Sequence, residues 1–456
     1  MQPSFLDILP LAPLQEGLLF HAMYDEQASD VYVVQLALEL QGELDARRLQ
    51  AAARALLHRH PNLSARFLTR ATGRPLQVIP DEVELPWTQA DFAAGSETVA
   101  KFLAEERARR FDLAKPPLLR FALIRHAPEH HTLALTIHHI LLDGWSVPTL
   151  IRELFTLYSA DEEALAPAAP YRDYLAWLAD RDQEAARTAW RTALDGLDEP
   201  CRLSSGELDR PRDVPHQISR HLSADLTRRL HQHARSHGLT PNTLIQGAWG
   251  LLLAALTGRD DVVFGTTVSG RPPEIPGITT MVGLFINTVP VRIRLDFAET
   301  LTRFLARIQR EQAELLDHQH LSLADIQQTA GHTELFDTTT VFENYPLDFA
   351  DFAEFSGGLR LTGLGTHGDG VTHYPLCLSV VPGERMRLRL AYRTDLFDED
   401  AVEAIAGRLV GLLETIVSDP ERRISRIDVR TEAERVPAAV RNTAPDDPSV
   451  SNCIPD

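Results

Sequence analysis

The chain has 456 residues, 44% of them hydrophobic and 24% charged, which is ordinary globular composition and length enough for two core-bearing units of roughly 200 residues each. Its 64 acidic residues outnumber 45 basic ones, and the resulting formal charge of −19 argues against nucleic acid and anionic membrane as partners, since both require a basic footprint. Cys201, Cys377 and Cys453 offer neither a disulfide framework nor zinc-ligand spacing, and there is no basic-then-apolar leader or long uninterrupted apolar run, so a soluble protein of a reducing cytoplasm is expected.

The first patterned stretch, Leu9 to His21, reads as a turn feeding a short helix. Tyr32 to Leu40 alternates as a strand, and Asp45 caps a helix to about Arg59 whose apolar stripe is Leu49, Ala52, Ala53, Leu56 and Leu57. A charged helix is expected over Ser96 to Arg110, an irregular segment over Phe111 to Pro117, and a strand over Leu118 to Arg125. Leu133 to His139 alternates again, and Asp143-Gly144 beyond it is a turn signal in which glycine is free to take positive φ. Val147 to Ser159 has helical periodicity, Ala160 to Pro170 reads as a surface loop, and Tyr171 opens a helix with Tyr174 and Trp177 as core aromatics.

Turn-formers crowd Cys201 to Pro215, and the boundary between two units is placed just upstream, near residue 178. Leu44-Asp-Ala-Arg-Arg-Leu49 and Leu222 to Leu230 each open a helix after a comparable strand, a faint internal repeat. Thr240-Pro241 starts a helix whose residues Asn242 to Leu256 are apolar nearly all round and therefore buried. Asp261 to Thr267 is a strand, Val268 to Pro273 a tight turn, and Met281 to Pro290 an extended apolar run. A hairpin of Tyr374–Val381 and Met386–Tyr392 and a helix over Glu399 to Asp419 follow, and from Val436 the chain reads as linker. Strands and helices alternate through both halves, an α/β pattern.

The chemistry-bearing residues sit at the end of the alternating run Leu133 to His139. Period two puts Leu133, Leu135, Ile137 and His139 on one face and Ala134, Thr136 and His138 on the other. An imidazole titrates near neutrality and can take or steer a proton in acyl transfer. Paired strand histidines are more commonly packed or solvated groups than catalysts, and histidines on opposite faces do not readily ligate one metal ion.

The full string His138-His139-x-x-x-Asp143-Gly144 resembles the active-site motif of nonribosomal peptide synthetase condensation domains. Other stretches resemble further motifs of that family. Leu9 to His21 matches the first, in the Pro-Leu-Gln-Glu-Gly form associated with a D-configured donor residue. Tyr171 to Trp177, Ser269-Gly-Arg-Pro272 with Met281 to Pro290, His318 to Leu323 and Phe342 to Leu347 match the fourth to seventh, and Asn442-Thr-Ala-Pro445 resembles the start of a connection to an adenylation domain. Arg59 to Phe67 occupies the place of the second motif but carries Ser64 where the family has the arginine thought to pair with the motif aspartate. A buried Asp143 without a partner is costly or protonated, and Arg66 and Arg271 both stand as replacements.

The resemblance implies two chloramphenicol acetyltransferase-like lobes in a V-shaped pseudo-dimer, spanning 1–177 and 178–435, with 436–456 as the linker. It implies amide formation between a donor peptidyl or aminoacyl thioester and an acceptor aminoacyl thioester, as in antibiotic or siderophore assembly. Both substrates ride on phosphopantetheine arms supplied by upstream and downstream carrier domains, with no covalently bound cofactor and no metal. His139 accepts or orients the amine proton. His138 and Asp143 hold the site's framework, Gly144 leaves room for the arm, and Arg271 and Asn287 support the junction. A coenzyme A-dependent acyltransferase and a non-catalytic recruitment module of the same fold are the competing readings. An epimerising relative differs after Asp-Gly, and a cyclising relative replaces the histidines by aspartates.

Overall fold

The structure, a computed structural model, describes residues 5–24, 30–69, 73–92, 96–159, 164–204, 215–344, 355, 358–368, 372–430 and 434. The expected linker 436–456, Cys453 and the end of the seventh motif, Tyr345 to Leu347, lie outside the described residues. The chain opens with β1 (Phe5–Leu9), α1 (Pro13–Tyr24), β2 (Val33–Gln41), α2 (Ala46–Arg59), β3 (Arg66–Thr69), β4 (Pro75–Pro80), β5 (Trp87–Asp91) and α3 (Ser96–Ala108). Next come β6 (Leu119–Ala127), β7 (His130–His138), α4 (Ser146–Tyr158), α5 (Tyr171–Ala179), α6 (Gln183–Ala193), β8 (His216–His221), α7 (Ala224–Ser236) and α8 (Pro241–Thr257). Then follow β9 (Asp261–Val268), β10 (Asn287–Arg294), α9 (Leu301–Glu314), α10 (Leu323–Thr329) and β11 (Thr338–Phe342). β12 (Arg360–His367), β13 (Leu376–Val381), β14 (Arg387–Tyr392) and α11 (Glu399–Ser418) complete the described elements. Among the described residues no helix is long and apolar enough to cross a membrane.

This mixed α/β architecture carries two large sheets, ordered β12-β2-β7-β6-β5 and β10-β9-β11-β13-β14-β8, and a small sheet β1-β4-β3. Each large sheet buries one apolar face under helices. In the first, Leu36, Leu38 and Leu40 of β2 and Leu133, Leu135 and Ile137 of β7 meet the stripe Leu49, Ala52, Ala53, Leu56 and Leu57 of α2. That helix starts where Asp45 accepts from the N–H groups of Arg47 and Arg48, which satisfies two otherwise orphaned donors. In the second, α8 is capped by Thr240, carries Pro241 in its first turn, runs buried from Thr243 to Ala254, and stops at Gly258 in the left-handed conformation.

The expected boundary between the halves, residue 178, falls within a helix, α5, whose Tyr171, Tyr174 and Leu175 pack with Ile275, Ile278, Met281 and Phe285 in a small third cluster. Trp177 is half-buried at the edge of this cluster rather than in the core, stacked on Tyr174 and donating from Nε1 to Glu274. β12, although late in the chain, is an edge strand of the first sheet and pairs with β2 from Arg360↔Gln41 to His367↔Gln35.

The expected extended run Met281 to Pro290 also divides. Only Asn287 onward forms β10, while 281–286 has no ladder partner. Its backbone groups are claimed instead by the first half: Asn62 Nδ2 donates to the Val282 carbonyl at 3.0 Å, and the Tyr171 hydroxyl donates to that of Leu284 at 2.5 Å. Val282 and Leu284 enter the first core while Met281 and Phe285 enter the third cluster, so this stretch knits the halves together.

At its entrance Gly270 has φ +60°, and a Cβ there would lie 1.8 Å from the Phe285 carbonyl oxygen. Gly270→Ala is therefore expected to cost about 2–4 kcal/mol in urea unfolding, and Gly258→Ala, with φ +70° but open space, only about 1 kcal/mol.

Candidate active site

The two motif histidines at the end of β7 go to different places. His138 has 0% side-chain exposure, accepts from the Ile140 N–H at Nδ1 (3.1 Å), and has Nε2 3.1 Å from Asp30 Oδ2. These contacts fix its ring, with the Nδ1 acceptor role placing the proton on Nε2. His139 falls one residue beyond the strand, is half-buried, and lines a large cavity; its peptide N–H donates to the Tyr32 carbonyl at 2.8 Å. Gln15, fully buried in the first motif, donates to the Ile140 carbonyl at 2.9 Å and so ties α1 to the residue after His139.

Burial by itself would raise the carboxyl of Asp30, but the His138 imidazole beside it, the N–H of Tyr32 and the charge of Arg110 hold it below the usual carboxylate value. A depressed carboxyl stabilises the fold fully above its unfolded pKa of about 4, and the contribution is lost as pH falls through the lower folded value. Asp30→Asn is accordingly expected to be about 1–2 kcal/mol less stable than wild type near pH 7, with the gap narrowing in paired urea titrations as pH falls below the unfolded value of about 4.

Asp143 is completely buried, and its partners come largely from the later half of the chain. Oδ1 accepts from Arg271 (3.0 Å) and from the backbone and hydroxyl of Ser146 (3.1 Å each), while Oδ2 accepts from the Phe285 N–H at 3.0 Å. The arginine beside the aspartate is thus Arg271, not Arg66. Its other nitrogen donates to the carbonyls of Ile278 and Met281, and its guanidinium lies 3.9 Å over the Phe285 ring. Ser64 is buried in the turn between α2 and β3. Arg59 and His60 of the same motif both bind Glu153 of α4, at 2.8 and 2.5 Å, and anchor that turn.

The cavity has a volume of about 1660 Å³ and takes its walls from both halves. His139, Gly144 and Trp145 contribute from one side, and Asn287 from the other. Gly144 is not among the positive-φ glycines of the described residues, so its contribution is an absent side chain rather than a special backbone conformation. Asn287 donates to the carbonyls of Gln319 and Leu321, both at 2.8 Å, and secures the sixth motif against β10. Much of the later wall is neutral and polar, including Gln246, Thr266, Gln312 and Gln319, with Gln312 donating to Gln246 and Gln246 to Thr266. Glu16 also lines the space, and burial first, then the nearby Asp325 charge, pushes its carboxyl up. Asp30, Ser146, Glu153 and His373 carry no motif or periodic signal, and sequence reasoning gave neither them nor Tyr32, read only as the start of a strand, a role in the site.

A profile of the condensation-domain family matches residues 6–436. The chain belongs to that family, whose members form amide bonds in nonribosomal peptide synthesis. Two polypeptides of the linear gramicidin synthase of Brevibacillus parabrevis are similar to it, one 36% identical over 450 residues, covering 94% of this chain, and the other 38% identical over 467 residues, covering 98%. The chain spans only 9% of the length of each of these relatives. Among solved structures, the first condensation domain of the calcium-dependent antibiotic synthetase shares the fold with a TM-score of 0.75 at 20% identity, over 93% of this chain and 99% of that one.

Proposed function

We propose that this domain joins a donor aminoacyl or peptidyl thioester to an acceptor aminoacyl thioester, each carried on a phosphopantetheine arm of a partner carrier domain. The observation that carries the reading is the placement of His139 on the wall of a cavity built by both halves. The acceptor amine attacks the thioester carbonyl, the C–N bond forms as the C–S bond breaks, and the amine proton ends on the departing thiol. His139 takes or steers that proton. Holding both substrates end to end makes the step effectively intramolecular, an advantage of up to about 7–11 kcal/mol, against roughly 10²–10⁴ in rate for a placed base.

The neutral amide and hydroxyl wall suits the amide groups of pantetheine and peptide. It favours carrier-borne substrates over free coenzyme A, because the two arginines that line the space among the described residues are committed to carboxylates, Arg202 to Glu334 and Arg393 to Asp395. In this reading the fold is a pair of chloramphenicol acetyltransferase-like lobes working in the cytoplasm beside an adenylation domain. The Pro13-Leu-Gln-Glu-Gly17 string supports a D-configured donor residue. Mass spectrometry of product from donor carriers loaded with either enantiomer is expected to show the D form consumed at least about tenfold faster, a discrimination of ~1.4 kcal/mol. Equal consumption removes the stereochemical assignment, and no product from either donor removes the function.

A further inference from the structure

The two motif histidines hang on one short turn, and that turn is held from the far half of the molecule. Asp30 Oδ2 lies 3.1 Å from Nε2 of His138 and its Oδ1 accepts from the Tyr32 N–H (3.0 Å), while the Tyr32 carbonyl accepts from the His139 N–H. The Tyr32 hydroxyl in turn is hydrogen-bonded to Nδ1 of His373, which lies just before β13 of the second sheet. The His373 ring is fixed between two others, with centroids 3.8 Å from His21 of α1 and 4.0 Å from Tyr374. Tyr374 packs on Phe336 of the second core, at 5.6 Å. His21, Tyr32, His139, His373 and Tyr374 all line the same cavity.

His139 therefore sits between two cross-half ties. Asp143–Arg271 lies four residues after it, and Tyr32–His373 grips the strand end itself. Reactions between positioned groups are sensitive to displacements of about 1 Å. We propose that His373 is a positioning residue for His139, acting through Tyr32 so that the imidazole keeps its place relative to the opposite wall. The inference rests on the condensation reading of the cavity.

The test uses the full chain with loaded donor and acceptor carriers, comparing wild type, Tyr32→Phe, His373→Ala, His373→Asn and the Tyr32→Phe/His373→Ala double variant. Each single disruption is expected to lower the maximal rate about tenfold or more with the acceptor KM within about twofold of wild type. The double variant is expected to lose no more than about twofold beyond either single one, because one shared contact is removed, and His373→Asn, which can still hydrogen-bond the phenol, to recover most of the rate. The His139 ring resonances in carbon–proton NMR of the free chain should move in Tyr32→Phe and His373→Ala alike. Wild-type rates in both single variants, losses that multiply in the double, or an unmoved His139 resonance would overturn the inference. Failure of wild type to form any amide would instead remove the proposed function, and the resonances would still decide whether His373 positions the ring.

Discussion

Arg271→Ala is expected to lower the unfolding free energy by about 3–5 kcal/mol, the usual cost of leaving one member of a buried ion pair behind. Asp143 has no exposure, and without the guanidinium its charge rests only on neutral donors, the Ser146 backbone and hydroxyl and the Phe285 N–H. The carbonyls of Ile278 and Met281 lose their donor as well, and the Phe285 ring loses the cation stacked on it. Adding Asp143→Asn removes the stranded charge while keeping an acceptor for the Phe285 N–H. The double variant should therefore recover part of the loss rather than sum the two. Urea unfolding of the four proteins measures this cycle, and a single-variant loss below about 1 kcal/mol would mean that Asp143 is held adequately by its neutral donors.

His139→Ala is expected to reduce the rate of amide formation roughly 10²–10⁴-fold at saturating carriers, while changing stability by less than about 1 kcal/mol. The separation follows from geometry. The His139 side chain is half-buried on a cavity wall, so its removal leaves the cores intact. His138→Ala should behave in the opposite sense, since its ring is wholly enclosed and holds Asp30, and the variant leaves that carboxylate without its imidazole. Single-turnover mass spectrometry beside thermal unfolding distinguishes the two, and undiminished product from His139→Ala would remove the imidazole from the chemistry.

Much of the framework was legible because local and tertiary signals agree. The Asp45 cap with its stripe, the Thr240-Pro241 start and the alternation of Leu133 to Ile137 each state both an element and its buried face, and the structure uses those faces. The small sheet was not legible: in the five-residue β1 Phe5, Leu6 and Ile8 are exposed, so no buried face disciplines its pattern, and the four-residue β3 is too short to show one beyond the single buried Phe67. Residues 281–286 misled for a different reason. A continuous apolar run looks the same whether it pairs in a sheet or threads between cores with its backbone held by side chains. The partner of Asp143 lies 128 residues away, and sequence spacing could offer Arg66 and Arg271 but not choose between them. His373 and Asp30 act through a few specific contacts that leave no periodic trace.

The edge strand β12 has a practical consequence for exchanging parts between synthetases. Leu359 and Leu361 lie in the first core, and Phe355 stacks on Phe155 of α4 at a centroid distance of 4.1 Å. A chimaera joined near residue 178 would marry the β2 of one parent to the β12 of another, with mismatched side chains along seven register pairs. Recombination that swaps the domain whole, or that inherits residues 33–41 and 355–367 from the same parent, keeps that seam intact.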